Sequence, residues 1–385
     1  MKILYHHRTQ AEDAQGVHIY ELVRAFKALG HEVEIASLVK LDENTLSKTK
    51  GAKWNWIARL TPGWFYELMG LTYNLLGYRM LLSRIKSSAP DMIYERYSLN
   101  TLCGIWASRR CRIPIVLEVN APLYHEQKQL GALRFRSLAR YSERWACSNS
   151  TWTITVSEVL KSILTQEGVP AKKIVVMPNG IDTNKFNPHV SGKTIRKKYG
   201  IDSKTVLGFV GWFRPWHGLD KLMRSMHEFR FADKGLDLLL VGDGPAYGDL
   251  YTFAEKKGLL SNIHFTGPVP HNEIPNYIAA MDIVIQPFAT EYACPMKIIE
   301  YLGMGKCIVA IDQANIRELI EDGVTGFLFK NTKTMASIIT KLISNPQLRM
   351  ITGQKAIESI AKRELLWKGN ARKTLSLIMD DGSEM

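Results

Sequence analysis

At 385 residues, 46% hydrophobic and 23% charged, the chain suits two ordinary globular domains, which excludes a small binding module, a disordered chain and a multi-span membrane protein. Its 50 Lys and Arg against 37 Asp and Glu leave +13 at pH 7, so an anionic partner is expected: nucleic acid, a phosphorylated small molecule or a membrane surface. Most of the excess is N-terminal, because residues 1–180 hold 24 bases and 15 acids (+9) and residues 181–385 hold 26 and 22 (+4).

In chain order, short apolar runs alternate with helical patterns: 3–6, 33–38, 92–94, 115–119, 153–156 and 174–177 read as strands. The opening MKILYHHRTQ starts directly as a strand, and its apolar run is too short for an export signal, so a cytoplasmic chain is expected. Ile19, Leu22, Val23, Phe26 and Leu29 give the first helix one apolar face, and Gly30 stands where a left-handed cap belongs. After a polar connection from about residue 182, a second series follows at 206–210, 236–241, 263–266, 283–286, 307–311 and 326–329. Strands alternating with helices imply parallel sheets covered on both faces, here two α/β, doubly wound, Rossmann-like domains. The crevice outside the carboxyl ends of their strands is the expected ligand site. Cys103, Cys111, Cys147, Cys294 and Cys307 are odd in number, with no CxxC and no zinc-finger spacing, so neither a disulfide framework nor a structural metal is expected.

Three segments of the second half carry chemistry. VGWFRPWHG (210–218) is a glycine-bracketed turn entering a helix, an arrangement that offers amides and the positive helix end to a phosphate, with Arg214 and His217 as side-chain donors. The plainer alternative is a loop whose aromatics pack on the domain beneath. VGDGP (241–245) lacks GxGxxG spacing and reads as a tight turn rather than a nicotinamide-dinucleotide site. In EYACPMKIIEYLGMGKCIVA (291–310), a helix is expected from about Pro295 to Met304, with free amides near Met296 and Lys297. Glu300, one turn on from Lys297, is placed to accept both hydroxyls of a ribose. Here the alternative is a solvated Lys and Glu at helical spacing.

These segments, with FTGPVPHNEIPNYIAAMDIVIQP (265–287), CPMKIIEYLGMGKCIVAID (294–312), GVHIYELVRAFKALGHEVEIAS (16–37) and VMPNGIDTNKFNP (176–188), resemble the retaining, nucleotide-sugar-dependent glycosyltransferases of the GT-B fold, family four, in a subgroup with an FRPWHG-type loop. The resemblance covers nearly the whole chain. It implies an acceptor-binding domain over 1–182, a donor-binding domain over 183–364, and a C-terminal helix at about 365–385 returning to the first domain. The donor set it implies comprises Gly16, Gly211, Gly242, Val269, Glu291, Tyr292, Cys294, Pro295, Met296 and Glu300, with Arg214, His217 and Lys297 as the polar groups on the diphosphate. Asn120 stands near the family's histidine after an N-domain strand, with Glu126 nearby; a polar residue there also suits a helix cap. No cofactor or metal is expected beyond the donor substrate.

Three departures from the family pattern matter. The usual arginine after the glycine of the first motif is Trp212, with Arg214 two residues on. The usual lysine is His217, expected to be partly protonated near neutral pH, so Lys297 is expected to restore the cation from across the crevice. The first glutamate of the family's pair is Tyr292, with Glu291 one place off. No DxD occurs, so leaving-group charge falls to cations and amides.

Residues 50–86 hold Lys50, Lys53, Arg59, Arg79, Arg84 and Lys86 against Glu67, interleaved with Trp54, Trp56, Trp64, Phe65, Tyr66, Tyr73 and Tyr78. Arg136, Arg140 and Arg144 repeat every four residues. Basic, aromatic-rich stretches suit an anionic membrane surface, so a peripheral enzyme at the cytoplasmic membrane face is expected, acting in polysaccharide or glycoconjugate synthesis on a glycan or lipid-linked acceptor. The alternatives are a nucleic-acid-binding protein, for which RRM, KH and zinc-finger signatures are missing, and a nucleotide-sugar epimerase or hydrolase of the same fold.

Overall fold

The computed structural model describes residues 1–9, 14–38 and 63–381. The chain divides into two compact units, Met1–Pro178 with Trp367–Met385, and Asn179–Leu366. The division precedes the 182/183 boundary because the connection is already tied to the second unit: Ile181 pairs with Leu366, and the Asn179 side-chain amide donates to the Cys294 carbonyl at 2.7 Å.

The first unit is built on strands β1 (Lys2–His6), β2 (Glu32–Ala36), β3 (Met92–Arg96), β4 (Ile115–Val119), β5 (Trp152–Thr155) and β6 (Ile174–Val176), all parallel in the order β2-β1-β3-β4-β5-β6. Around it stand α1 (Ala14–Ala28), α2 (Gly63–Ser88), α3 (Cys103–Cys111), α4 (Leu123–Gln129), α5 (Arg136–Asn149) and α6 (Glu158–Gln166). The first helix stops where expected: Gly30 has φ +84, and the amide of His31 reaches back to the Phe26 carbonyl. β3 and β4 are buried along their whole length, so the charged Glu95, Arg96 and Glu118 are interior groups that need partners.

The second unit repeats the plan with α7 (Lys193–Tyr199), β7 (Thr205–Val210), α8 (Leu219–Glu228), β8 (Leu236–Val241), α9 (Tyr247–Lys256), β9 (Ile263–Phe265), α10 (Ile274–Ala280), β10 (Ile283–Gln286), α11 (Met296–Gly303), β11 (Cys307–Ile311), α12 (Ala314–Arg317), β12 (Phe327–Phe329), α13 (Thr332–Ile343) and α14 (Pro346–Lys362). Its parallel sheet runs β12-β11-β10-β7-β8-β9. β7 through β9 build outward in one direction and β10 through β12 in the other, so the order reverses between β7 and β10, the point at which doubly wound sheets take their ligands. The core fills the space between this sheet and α8, α9 and α13 with fully buried Phe209, Phe213, Leu222, Met223, Leu238 and Ile339.

The last helix, α15 (Trp367–Asp381), belongs to the first unit and packs along α1. The Trp152 indole donates to the Leu377 carbonyl at 3.0 Å, and the Asn370 side-chain amide donates to Pro178 at 2.7 Å. All twelve expected strands are present, with ends shifted by a residue or two. Of the basic, aromatic stretch, Lys50, Lys53, Trp54, Trp56 and Arg59 lie outside the described residues.

Candidate functional site

Two glycine turns interlock at the carboxyl end of β7 and β8. Gly211 (φ +140), Gly242 (φ +127) and Gly244 (φ +149) occupy backbone conformations that other residues avoid. A Cβ on Gly242 would meet the Gly211 carbonyl at 2.1 Å, and one on Gly244 would meet the Phe213 amide at 2.5 Å. The turns are stitched by the Gly211 amide donating to the Val241 carbonyl and the Phe213 amide to Asp243. VGDGP is thus the clamp that holds the 211–218 turn in shape.

The 211–218 turn carries Arg214 and His217 to the switch point. Gly218 (φ +71) ends it against Pro287, the residue after β10, which joins the two loops. The tryptophans do not pack beneath: Trp212 and Trp216 are 45% and 51% exposed, and the Arg214 guanidinium lies 5.3 Å from the Trp216 ring centre. The turn's other aromatic, Phe213, does pack beneath and is fully buried, next to Phe209, the penultimate residue of β7. His217 lies 5.5 Å from the Phe209 ring, centre to centre, and the Lys297 ammonium lies 3.9 Å from the centre of that Phe209 ring.

Lys297 reaches this place from the first turn of α11. Its ammonium would stand 2.8 Å from a Cβ on Gly211, so the glycine makes room for it. The lysine therefore comes from a neighbouring element of the same sheet, where the sequence reading had it come from across a crevice. Burial pushes the ammonium down to about 7, against the opposing pull of Glu300. Burial, followed by the charge of Lys297, pushes the His217 imidazole down to about 3, so it is neutral at pH 7 rather than partly protonated. Its Nδ1 is buried without a hydrogen-bond partner among the described residues. Neither Lys297 nor Arg214 makes an ion pair among the described residues.

Pro295 is the cap of α11 rather than its first residue, and it brings no capping side chain. The first-turn amides at Met296 and Lys297 therefore face outward uncapped. Cys294 is a buried thiol, pushed up to about 12 by burial, and its Sγ accepts the Asn179 amide at 3.4 Å, so it anchors the loop before the helix. Asn315 holds the same loop through the carbonyls of Thr290 and Ala293. Glu291 is exposed, and Tyr292 and Val269 are partly buried. Glu300 lies 3.7 Å from His271 Nε2, and His271 in turn meets Phe186 edge-on. His271 lies inside FTGPVPHNEIP, yet spacing alone gave no reason to pair it with a helix about thirty residues away.

The first unit holds the remaining expected residues. Gly16 is buried in the first turn of α1. Asn120 follows β4, and its side-chain amide donates to Glu118. Glu126 is partly buried on α4. Glu118 is 2% exposed and also receives Arg96 at 2.6 Å and the Tyr94 hydroxyl at 2.6 Å, with His18 at 3.6 Å. Burial acts to raise the Glu118 carboxyl, but His18, Arg96 and these hydrogen bonds hold it below the usual range. A second buried group sits at the switch point between β1 and β3. There His6 bonds Glu95 at 2.5 Å and the Tyr73 hydroxyl at 2.9 Å, and Cys103 lies within 4.8 Å of both ligand atoms. The Arg8 guanidinium covers the Tyr73 ring at 4.6 Å and donates to the Thr101 hydroxyl at 3.2 Å. The sequence reading missed both networks, because buried charges inside strands look like alternation in a sequence.

Residues 191–359 match the family model described as Glycosyl transferases group 1, and residues 15–185 match the one described as Glycosyltransferase Family 4. Alpha-D-kanosaminyltransferase of Streptomyces kanamyceticus is 24% identical over 63% of this chain and 64% of its own, so that match spans just under two thirds of the relative. Alpha-monoglucosyldiacylglycerol synthase of Streptococcus pneumoniae is 24% identical over 86% of this chain and 76% of its own. Among solved structures, HepE of Anabaena in complex with UDP superposes with a TM-score of 0.73 at 21% identity, covering 98% of this chain and 100% of that one. With both halves matched, and two Rossmann-like units of six parallel strands, the chain belongs to the group 1 glycosyltransferases of the GT-B fold.

Proposed function

We propose that the chain is a retaining, metal-independent enzyme that moves a sugar from a nucleoside-diphosphate donor to a glycan or lipid-linked acceptor at the cytoplasmic membrane face, in polysaccharide or glycoconjugate synthesis. One observation carries the reading. At the carboxyl ends of β7 and β10, the uncapped amides of α11, the Lys297 ammonium beside Gly211, and Arg214 gather with no carboxylate bound to them. Such a constellation lacks an anion, and a diphosphate supplies one.

In this reading Glu300, oriented by His271, accepts the ribose hydroxyls, and the neutral His217 turns its one N–H from the Trp212 backbone toward the phosphates. The bond from the anomeric carbon to the phosphate oxygen breaks, and its electron pair leaves with the diphosphate. The acceptor oxygen bonds the same face of that carbon, and its proton passes to the departing phosphate. Lys297, Arg214 and the helix amides hold the leaving diphosphate more strongly than the intact donor, because its negative charge has grown. The named product of the Streptococcus relative, a glucosylated diacylglycerol, supports an acceptor of lipid character.

The test is a thermal-shift screen with UDP, GDP, ADP and their sugars. A ligand at 100 times its dissociation constant stabilises by about 2.7 kcal/mol. Glu300→Ala should abolish that shift while leaving the unliganded melting temperature close to wild type. If no nucleotide shifts the wild-type protein, the donor reading is lost. An inverted anomeric centre in the product would overturn retention, and loss of turnover on chelation would overturn metal independence.

A further inference from the structure

We propose that the outward faces of α2 and α5 form a single docking surface for an anionic lipid bilayer. The proposal extends the reading of a lipid-borne acceptor above, and the two are tested by separate measurements.

The first observation is an apolar face with nothing against it. On α2, Tyr73, Gly77, Leu81 and Ile85 face the core, yet Leu75 and Leu76 on the opposite side are 67% and 62% exposed. A surface helix normally shows polar residues there. On α5 and the residue before it, Ala139, Ala146 and Cys147 are buried, while Phe135, Leu138 and Tyr141 recur every third position and stand in solvent.

The second observation joins the two helices. Glu67, in the first turns of α2, is buried, and its two oxygens accept the backbone amides of Arg134 at 2.5 Å and Phe135 at 3.0 Å. That carboxylate therefore caps the start of α5 and ties it to the first turns of α2, where Leu68 and Met69 are exposed, as Phe135 is on α5's side.

The third observation is charge, and it selects the occupant. Glu67 and Glu143 are the only acids on α2 and α5, and both are buried. Arg79, Arg134 and Arg136 are exposed and make no ion pair among the described residues. Apolar and aromatic side chains flanked by unpaired cations, without an exposed acid, match the headgroup region of an anionic leaflet. A second copy packed on the same face would set these arginines against their own kind. No helix among the described residues is long and apolar enough to cross the membrane, so the contact lies in the plane of the surface.

The experiment is co-sedimentation of the full chain with phosphatidylcholine vesicles, with and without phosphatidylglycerol. Wild type should bind the anionic vesicles and not the neutral ones. The Arg134→Glu/Arg136→Glu variant should bind at least about tenfold more weakly, since each cation near such a surface contributes about 1 kcal/mol. A Leu75→Ser/Leu76→Ser variant should lose the salt-resistant part of the binding. Both variants should keep the nucleotide thermal shift of wild type, which reads the second unit and shows that the fold is intact. Equal binding to neutral vesicles, or binding that neither variant weakens, would overturn the proposal. So would a dimer that Leu75→Ser/Leu76→Ser dissolves, or retention of single-stranded RNA in place of vesicles. If vesicle binding holds but no nucleotide shifts the melting temperature, the surface stands and the donor reading fails.

Discussion

Two carboxyl edges, one on each sheet, carry charged side chains and partner them differently. In the first unit the buried Glu118 meets Arg96, the buried Glu95 meets the His6 ring, and the buried Glu67 is held by two backbone amides. In the second unit two cations, Lys297 and Arg214, stand at the corresponding edge, and the one carboxylate near them, Glu300, forms an ion pair with neither among the described residues. Lys297 and Arg214 stand without an ion pair among the described residues, and Lys297 is held down to about 7 by burial. Removing one partner of a buried pair leaves the other charge uncompensated, whereas a cation kept unpaired already costs the fold free energy unless a ligand completes it. The contrast separates the interior network of the first unit from the residues proposed to take an anion in the second.

The largest effect is expected where pairing is broken. Arg96→Met leaves the Glu118 carboxylate buried without its cation, which typically costs about 3 to 5 kcal/mol. Chemical denaturation should show that loss in the first unit. Lys297→Met should cost little or raise stability near pH 7. The sign follows from linkage: the folded lysine pKa, about 7, lies below its unfolded value, so the folded state binds fewer protons and stability declines as pH falls toward 7. Equal destabilisation by the two substitutions would erase the contrast.

A smaller effect sharpens the comparison through pH. Lys297 is about half charged near pH 7 in the unliganded chain, and a bound diphosphate favours its charged form. Donor binding above pH 7 should therefore take up close to one proton, and affinity should fall by up to about tenfold per pH unit until the pKa of the complex is passed. The groups facing this lysine are Glu300, which raises its pKa, and His217, which is neutral throughout the range. Calorimetry in buffers of different ionisation enthalpy measures the proton directly. Lys297→Arg should retain affinity and flatten the slope, and an unchanged slope would assign the proton to another group.

The sequence makes some of this architecture legible and hides the rest for physical reasons. Strands buried on both faces are runs of apolar residues, so all twelve were visible, as was Gly30 at the end of α1. The turn at 210–218 and the helix carrying Lys297 and Glu300 were visible because glycine and proline punctuate a chain. What the sequence could not convey is which side chains meet. Lys297 lies 3.9 Å from the centre of the Phe209 ring although 88 residues separate them in the numbering, and His271 lies beside Glu300. The protonation of His217 is likewise a property of what surrounds it. The fixed φ of Pro295 suits the first helical turn, yet its ψ of 113° makes it the cap.

The smallest expected effect is also the most discriminating for His217. If its task is to donate one N–H from a neutral ring, its charge is irrelevant and a neutral donor of similar size should replace it. His217→Asn should then bind a nucleoside diphosphate within about threefold of wild type near pH 7, since a neutral hydrogen bond contributes about 1 kcal/mol or less. Because burial and the Lys297 charge hold the ring down to about 3, the wild-type affinity should show no step between pH 5.5 and pH 7 that His217→Asn removes. A step in that range, lost in the variant, would mean that the bound anion protonates His217. The ring would then count with Lys297 and Arg214 among the cations of the second sheet's edge, and that edge would be more cationic than the unliganded chain displays.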